Sequence, residues 1–292
     1  MSGSRANMNV AEAVGSATEA LTGSGVAEPA KEARSLLAFA LTCDASFLIA
    51  HPEYNLTDKE AADFAAYLER RTEREPFQYI TGRQEFYGLD FLVTPDVLIP
   101  RPETETLVED AIEVIGKAHS PRICEIGVGS GCISIAVLKN VPAANSLGID
   151  ISDAALAIAQ RNAEMHDVAD RLTLRTGDIF DGITDSFDLI VSNPPYVPAK
   201  DIASLQAEVR DFEPRLALEG GDSGLDLVER IISDAPARLK PSGTLLMEIG
   251  FDQSTKVGQL FDSSIWAKPE FLPDLQGFPR IAKVILRQTR AI

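Results

Sequence analysis

The sequence predicts an α/β protein. A mostly parallel sheet with helices on both faces is preceded by a small all-helical unit and a β-hairpin. Three observations predict it. From Pro121 onward, apolar strand-like runs alternate with amphipathic helical stretches, the pattern of βαβ units. Before residue 75, apolar residues recur at helical spacing. Between these regions, "QEFYGLDFLVTPDVLIP" alternates apolar and polar residues around Gly88, which reads as a hairpin.

Residues 1–25 are rich in Ala, Gly, Ser and Thr and are expected to form a flexible segment, with a short helix at "VAEAVGSATEAL" as an option. A helical domain is expected over 26–84. Its first helix carries Ala30, Ala33, Leu37 and Leu41 on one face, with Pro29 suited to the first turn. "TDKE" reads as a capping box from Thr57 to Glu60, followed by apolar Ala61, Phe64, Ala65 and Leu68. Residues 85–101 form the hairpin linker, and 102–292 the large domain. That domain opens on a helix bearing Leu107, Val108, Ala111, Ile112 and Ile115. Strands then read at "RICEIG", "NSLGID", "RLTLRTGD", "FDLIVSN" and "GTLLMEIG". Helices read at "CISIAVLKN", "SDAALAIAQRNAEMH", "GLDLVERIISDAPARLK" and "DQSTKVGQLFD". The tail, "FLPDLQGFPRIAKVILR", suggests a last strand or strand pair.

Bulk properties narrow the function. The net charge of -17 argues against a nucleic-acid partner, because phosphate binding needs a basic face. Cys43, Cys124 and Cys132 suit a reducing cytoplasm and suggest no disulfide framework. His51, His119 and His166 make no ligand pattern with them, so no metal site is expected. There is no apolar stretch of membrane-spanning length and no secretory signal pattern.

The chemistry sits at strand ends. "EIGVGSG" places Gly127, Gly129 and Gly131 between a strand and a helix, where glycines let a ligand lie against the backbone. The spacing is not the G-x-G-x-x-G of dinucleotide binders. Glu125 ahead of it would repel a pyrophosphate and suits the ammonium of an amino-acid-like ligand. Asp150, at the next strand end, can accept both ribose hydroxyls of a nucleoside. Asp178 or Ile179, at the one after, can meet an adenine. Successive strand ends of an open sheet are where such folds bind ligands. The set resembles a class I, Rossmann-like S-adenosylmethionine-dependent methyltransferase.

"NPPY", Asn193 to Tyr196, ends the following strand. It resembles the motif of methyltransferases acting on planar nitrogens. Such a nitrogen is a poor nucleophile, since its lone pair is delocalised. The Asn193 side-chain carbonyl and the Pro194 backbone carbonyl can accept both hydrogens of an NH2 group. Tyr196 can stack on its plane, and the two prolines keep the acceptors rigid.

Two longer stretches are more specific. "EPFQYITGRQEFYGLDFLVTPDVLIPRPETETLVE" and "FEPRLALEGGDSGLDLVERII" closely resemble segments of the peptide chain release factor glutamine N5-methyltransferases, the PrmC/HemK family. The resemblance runs from about residue 28 to the C-terminus. It implies a seven-stranded sheet, S-adenosylmethionine as donor, and N5-methylation of the glutamine in the Gly-Gly-Gln motif of class 1 release factors. It implies that Glu125, Gly127, Val128, Gly129, Ser130, Gly131, Asp150, Asp178, Ile179 and Asn193 line the cofactor. Asn193, Pro194 and Tyr196 would be catalytic, and would hold the glutamine with Pro195 and Arg101. The helical domain would grip the release factor. A cytoplasmic monomer is expected. Glu125 and Val128 stand where the family often has Asp and Thr.

The alternative is an N-methyltransferase acting on exocyclic amines of DNA or RNA bases, which would use NPPY in the same way. The acidic charge argues against it. A dinucleotide oxidoreductase fits neither the loop spacing nor NPPY, and a silent scaffold leaves the filled site positions unexplained.

Overall fold

The computed structural model describes residues 8–116, 118–274 and 276–288. The chain divides into two units. One comprises residues up to Gly82 together with Gln206–Phe212, and the other comprises Arg83–Leu205 and Glu213 onward.

The first unit is helical: α1 (Val10–Gly23), α2 (Pro29–Leu41), α3 (Ala45–Ala50), α4 (Asp58–Thr72), α5 (Phe77–Thr81) and, much later in the chain, α9 (Ala207–Phe212). The helix held open at "VAEAVGSATEAL" is α1, so the flexible reading of 1–25 gives way to ordered structure from residue 8 on, while residues 1–7 lie outside the described residues. α1 opens on a reciprocal capping box between Asn9 and Glu12 and buries Val10, Ala13, Ala17 and Leu21. These four recur at three- and four-residue spacing, so a composition that looks featureless still writes one apolar face. They pack with Leu36, Leu37, Leu56 and Phe64 into one core. Pro29 starts α2, and the Thr57–Glu60 capping box starts α4, as expected.

A buried charge cluster closes this unit. Arg71 is 3% exposed. Its Nε donates to Glu32 at 2.6 Å and its Nη2 to Glu208 at 3.0 Å, while Arg74 donates to both oxygens of Glu208. Glu208 thus brings α9 into the helical unit.

The second unit begins with the hairpin, β1 (Arg83–Phe86) and β2 (Leu89–Leu92). Tyr87 and Gly88 have φ of 53° and 73°, the pair of positive values that a two-residue type I′ turn requires. The expected linker is more than a connection. Phe86 and Phe91, both fully buried, join Leu107, Val108 and Ile115 in the core of this unit.

After α6 (Glu105–Ile115), the chain alternates: β3 (Arg122–Ile126), α7 (Cys132–Asn140), β4 (Asn145–Asp150), α8 (Asp153–Met165), β5 (Leu172–Thr176) and β6 (Phe187–Ser192). Then come α10 (Asp226–Asp234), β7 (Leu239–Glu248), α11 (Ser254–Leu260), β8 (Glu270–Pro273) and β9 (Pro279–Ile285). The sheet order is β5-β4-β3-β6-β7-β9-β8. The first five strands are parallel, and β9 pairs antiparallel with both β7 and β8. The central strands are buried on both faces and read as nearly continuous apolar runs. The strand order reverses between β3 and β6, so a crevice for ligands is expected beyond their C-terminal ends. Among the described residues, no helix is long and apolar enough to cross a membrane.

Candidate functional site

A cavity of about 740 Å³ opens at that crevice. Glu125, Gly127, Val128, Gly129, Ser130, Asp150, Asp178, Ile179, Asn193, Pro195 and Arg101 all line it. Three expected site residues, Gly131, Pro194 and Tyr196, do not. Its volume is in the range that buries most of a drug-sized ligand.

The loop after β3 is fastened to β4. Gly127 and Val128 donate to the Ile149 carbonyl at 2.8 and 3.0 Å, and Gly129 donates to Asp150 Oδ2 at 2.9 Å. A Cβ built on Gly127 or Gly129 would meet no atom within 4 Å, so it would project into open space. Gly131 differs. Its Cβ would sit 2.9 Å from Ile135 Cδ1 and 3.3 Å from Ala159, so it permits α7 and α8 to pack closely. Val128 is buried with Leu156 and Ala159, which accounts for an apolar residue at this position.

Glu125 is 1% exposed and accepts the Ser134 amide at 2.9 Å. Burial, with the Asp150 charge adding to it, pushes its carboxyl up to about 8 against the pull of the Ser134 hydrogen bonds. Asp178 forms an ion pair with Arg230 at 2.8 Å on the exposed rim. Ile179 is 3% exposed at φ 55°. A β-branched residue in the left-handed region carries strain of about 1–3 kcal/mol, and here that strain sits in the cavity wall.

The NPPY stretch is clamped by the glycine-rich segment that follows α9. Val197 donates to Leu218 O, and Gly220 donates back to Val197 O. A Cβ on Gly220 would lie 2.6 Å from the Pro195 carbonyl oxygen, and one on Gly224 2.4 Å from that of Tyr196. Only glycine permits this approach. Gln253 Nε2 also donates to the Tyr196 carbonyl, at 3.0 Å.

Side chains complete the arrangement. Asn193 Nδ2 donates to Thr104 Oγ1 at 3.1 Å, and Thr104 Oγ1 donates to Glu248 Oε2 at 2.6 Å. The Tyr196 hydroxyl donates to Glu248 Oε1 at 3.3 Å. Burial pushes the Tyr196 phenol well above its ordinary range, and the Glu248 charge adds to this. Glu248, 2% exposed, is also raised by burial, against the Thr104 and Tyr196 hydrogen bonds and the Arg280 charge. Arg101 lines the cavity, yet its guanidinium is taken by buried Glu213, which also accepts the Ile99 amide at 3.2 Å. The "IPRPETE" stretch is therefore tied to the segment after α9.

Sequence reading missed Thr104, Glu213 and Glu248. Glu248 did leave a signal. A carboxylate inside the apolar run "GTLLMEIG", on a central strand, is rarely buried without partners. Thr104 lies within Ile99–Glu105, a stretch expected near the site, but its own part depends on the turn Pro102–Thr104 that starts α6.

The PrmC N-terminal domain matches residues 12–82, and the methyltransferase small domain matches 105–210. The release factor glutamine methyltransferase of Koribacter versatilis is 40% identical over 276 residues, which cover 94% of this chain and 97% of that protein. The chain belongs to the release factor glutamine methyltransferase family. The family member from Geobacter sulfurreducens is 44% identical over 258 residues, covering 88% of this chain and 89% of its own. A methyltransferase structure from Pyrococcus furiosus shares the fold, with a TM-score of 0.54 at 16% identity over 76% of this chain and 99% of that one.

Proposed function

We propose that this protein transfers a methyl group from S-adenosylmethionine to the side-chain amide nitrogen of the Gly-Gly-Gln glutamine in class 1 release factors, and that NPPY holds that amide. One observation carries the site assignment. At the end of β6, Asn193 lines the cavity with its Nδ2 already given to Thr104, which leaves the carbonyl Oδ1 as the atom available to a ligand.

The cavity residues suit the cofactor. Open space over Gly127 and Gly129 accepts a ligand against the backbone. Glu125 would hold the ammonium end and Asp150 the ribose hydroxyls, while Ile179 would offer an apolar wall to the base. When bound, S-adenosylmethionine supplies an electrophilic methyl group on a cationic sulfur.

The protein's own part is orientation. Asn193 Oδ1 and the Pro194 carbonyl accept the two amide hydrogens, which draws the nitrogen lone pair out of conjugation and toward the methyl group. Pro194 and Pro195 cannot relax into ladder bonds, and the close approach of Gly220 to the Pro195 carbonyl and of Gly224 to the Tyr196 carbonyl holds the stretch in place. Tyr196, anchored through its hydroxyl, is assigned the flat contact with the glutamine amide. No general base is needed, since an N-methylated amide loses its extra proton to water readily.

The helical unit is assigned to holding the release factor away from the methylated residue. Adding the factor to the full chain should slow amide hydrogen exchange in α1–α4. Unchanged exchange there would overturn this part.

The main experiment gives labelled S-adenosylmethionine and an intact release factor to the purified protein. The parallel reaction uses a factor whose motif glutamine is alanine. Label in the first alone is expected, and Asn193→Ala should lower the rate by at least about 10²-fold. Label on RNA or DNA, with none on the factor, would overturn the reading.

A further inference from the structure

We infer that Thr104 and Glu248 are positioning residues that set which end of the Asn193 amide faces the substrate. This rests on the glutamine-methylating reading above and concerns how the site is made unambiguous.

A side-chain amide has two ends of nearly equal size and opposite hydrogen-bonding sense. Turned one way, Asn193 offers the cavity an acceptor, as an incoming NH2 group requires. Turned the other way, it offers a second NH2 group, and donor faces donor. Nothing in Asn-Pro-Pro-Tyr itself chooses between the two. The choice has to come from whatever the hidden end of the amide meets.

The hidden end meets a hydroxyl of fixed polarity. A threonine hydroxyl can donate once and accept, so alone it would tolerate either end of the amide. With Glu248 ionised, the form that the Thr104 and Tyr196 hydrogen bonds and the Arg280 charge favour against its burial, that single hydrogen is committed to Glu248 Oε2 at 2.6 Å, the shorter of the two Thr104 contacts. What remains toward Asn193, at 3.1 Å, is a lone pair, which pairs only with the NH2 end. The other Glu248 oxygen receives the Tyr196 hydroxyl, so each carboxylate oxygen takes a hydroxyl proton. Thr104 and Glu248 are both 2% exposed, so water is poorly placed to substitute for either. Polarity thus passes from Glu248 through Thr104 to Asn193, across residues 248, 104 and 193 of the chain. The same carboxylate braces Tyr196, tying both ends of the NPPY stretch to one group.

The chain of contacts makes distinct demands on variants. Thr104→Val keeps shape and loses the polarity, so kcat should fall about 10²-fold, the cost of a misplaced reacting group. Thr104→Ser restores the hydroxyl and should return kcat to within about threefold of wild type. Glu248→Gln presents an amide that can donate to Thr104 and reverse it, so kcat should fall by about tenfold or more. Because Glu248 reaches Asn193 through Thr104, the two losses should fall well short of multiplying in the double variant Thr104→Val/Glu248→Gln, and any excess over Thr104→Val alone measures the brace on Tyr196. In all four, affinity for S-adenosylhomocysteine should stay close to wild type and unfolding should remain cooperative, with the midpoint of Thr104→Val lowered by the buried partners it leaves unpaired.

The test measures single-turnover methyl transfer to the intact release factor for wild type and these variants, with calorimetric S-adenosylhomocysteine binding and thermal melting alongside. Three results would overturn the inference. One is Thr104→Val within about threefold of wild type, and another is Thr104→Ser as slow as Thr104→Val. The third is the two single losses multiplying in the double variant. A wild-type enzyme that leaves the release factor unlabelled would instead overturn the functional reading, so the two failures are distinguishable.

Discussion

Glu125 offers the sharpest test of the cofactor pocket. The perturbation is Glu125→Gln, which can still accept the Ser134 amide while removing the charge. Burial holds the wild-type carboxyl near 8, against an ordinary 4.5. At pH 7 about nine in ten molecules therefore carry the proton, and at pH 9 about one in ten. Seating an ammonium beside Glu125 should ionise it. S-adenosylhomocysteine binding at pH 7 should thus release about 0.9 proton more from wild type than from the Gln variant, a difference that vanishes by pH 9. Calorimetry in buffers of different ionisation enthalpy reads this directly, and the difference between the two proteins cancels the ligand's own titration. Equal proton release from both at pH 7 would refute the assignment.

The same shift governs stability without ligand. The folded carboxyl keeps its proton to about 8, while the unfolded one loses it near 4.5. Stability is therefore fully present below 4.5 and falls as pH rises toward 8, by at most about 5 kcal/mol at about 1.36 kcal/mol per pH unit. The Gln variant lacks that fall, so its melting temperature should gain on wild type between pH 5 and 9.

The glycines should divide by role. Gly131→Ala, which meets Ile135 at 2.9 Å, should cost about 1–3 kcal/mol in urea unfolding. Gly129→Ala should cost only about 1–2 kcal/mol for its left-handed backbone, yet sharply weaken S-adenosylhomocysteine binding. Gly224→Ala, whose Cβ would press on the Tyr196 carbonyl, should lower kcat more than about tenfold with cofactor affinity nearly unchanged. Arg71→Met should destabilise by about 3–5 kcal/mol, because Glu32 and Glu208 lose their buried partner. Urea unfolding within about 1 kcal/mol of wild type would show that the cluster contributes little.

Much of this was legible in the chain. The alternating strands and helices, the Thr57 capping box and the hairpin around Gly88 rest on local patterns, and local patterns survive in a sequence. The glycine loop, Asp150 and Asn193 were readable for a related reason, since each closes a strand run at the same end of one sheet. What escaped depends on contacts between distant residues. Glu213 meets Arg101 across more than a hundred residues, and Thr104 meets Glu248 across more still. The glycines at 220 and 224 could be seen, but the carbonyls they shelter could not. α1 was underestimated because alanine serves equally well in a helix face and in a featureless tail.

The seven residues 206–212 have a practical consequence for anyone recombining this protein with its relatives. The helical unit is not a contiguous stretch of gene, and a cut after Gly82 would carry away Arg71 and Arg74 while leaving Glu208 behind. A chimera built at that single junction pairs arginines from one parent with an acid from the other, or with nothing. The natural module for exchange is a split one, joined at three points of the chain.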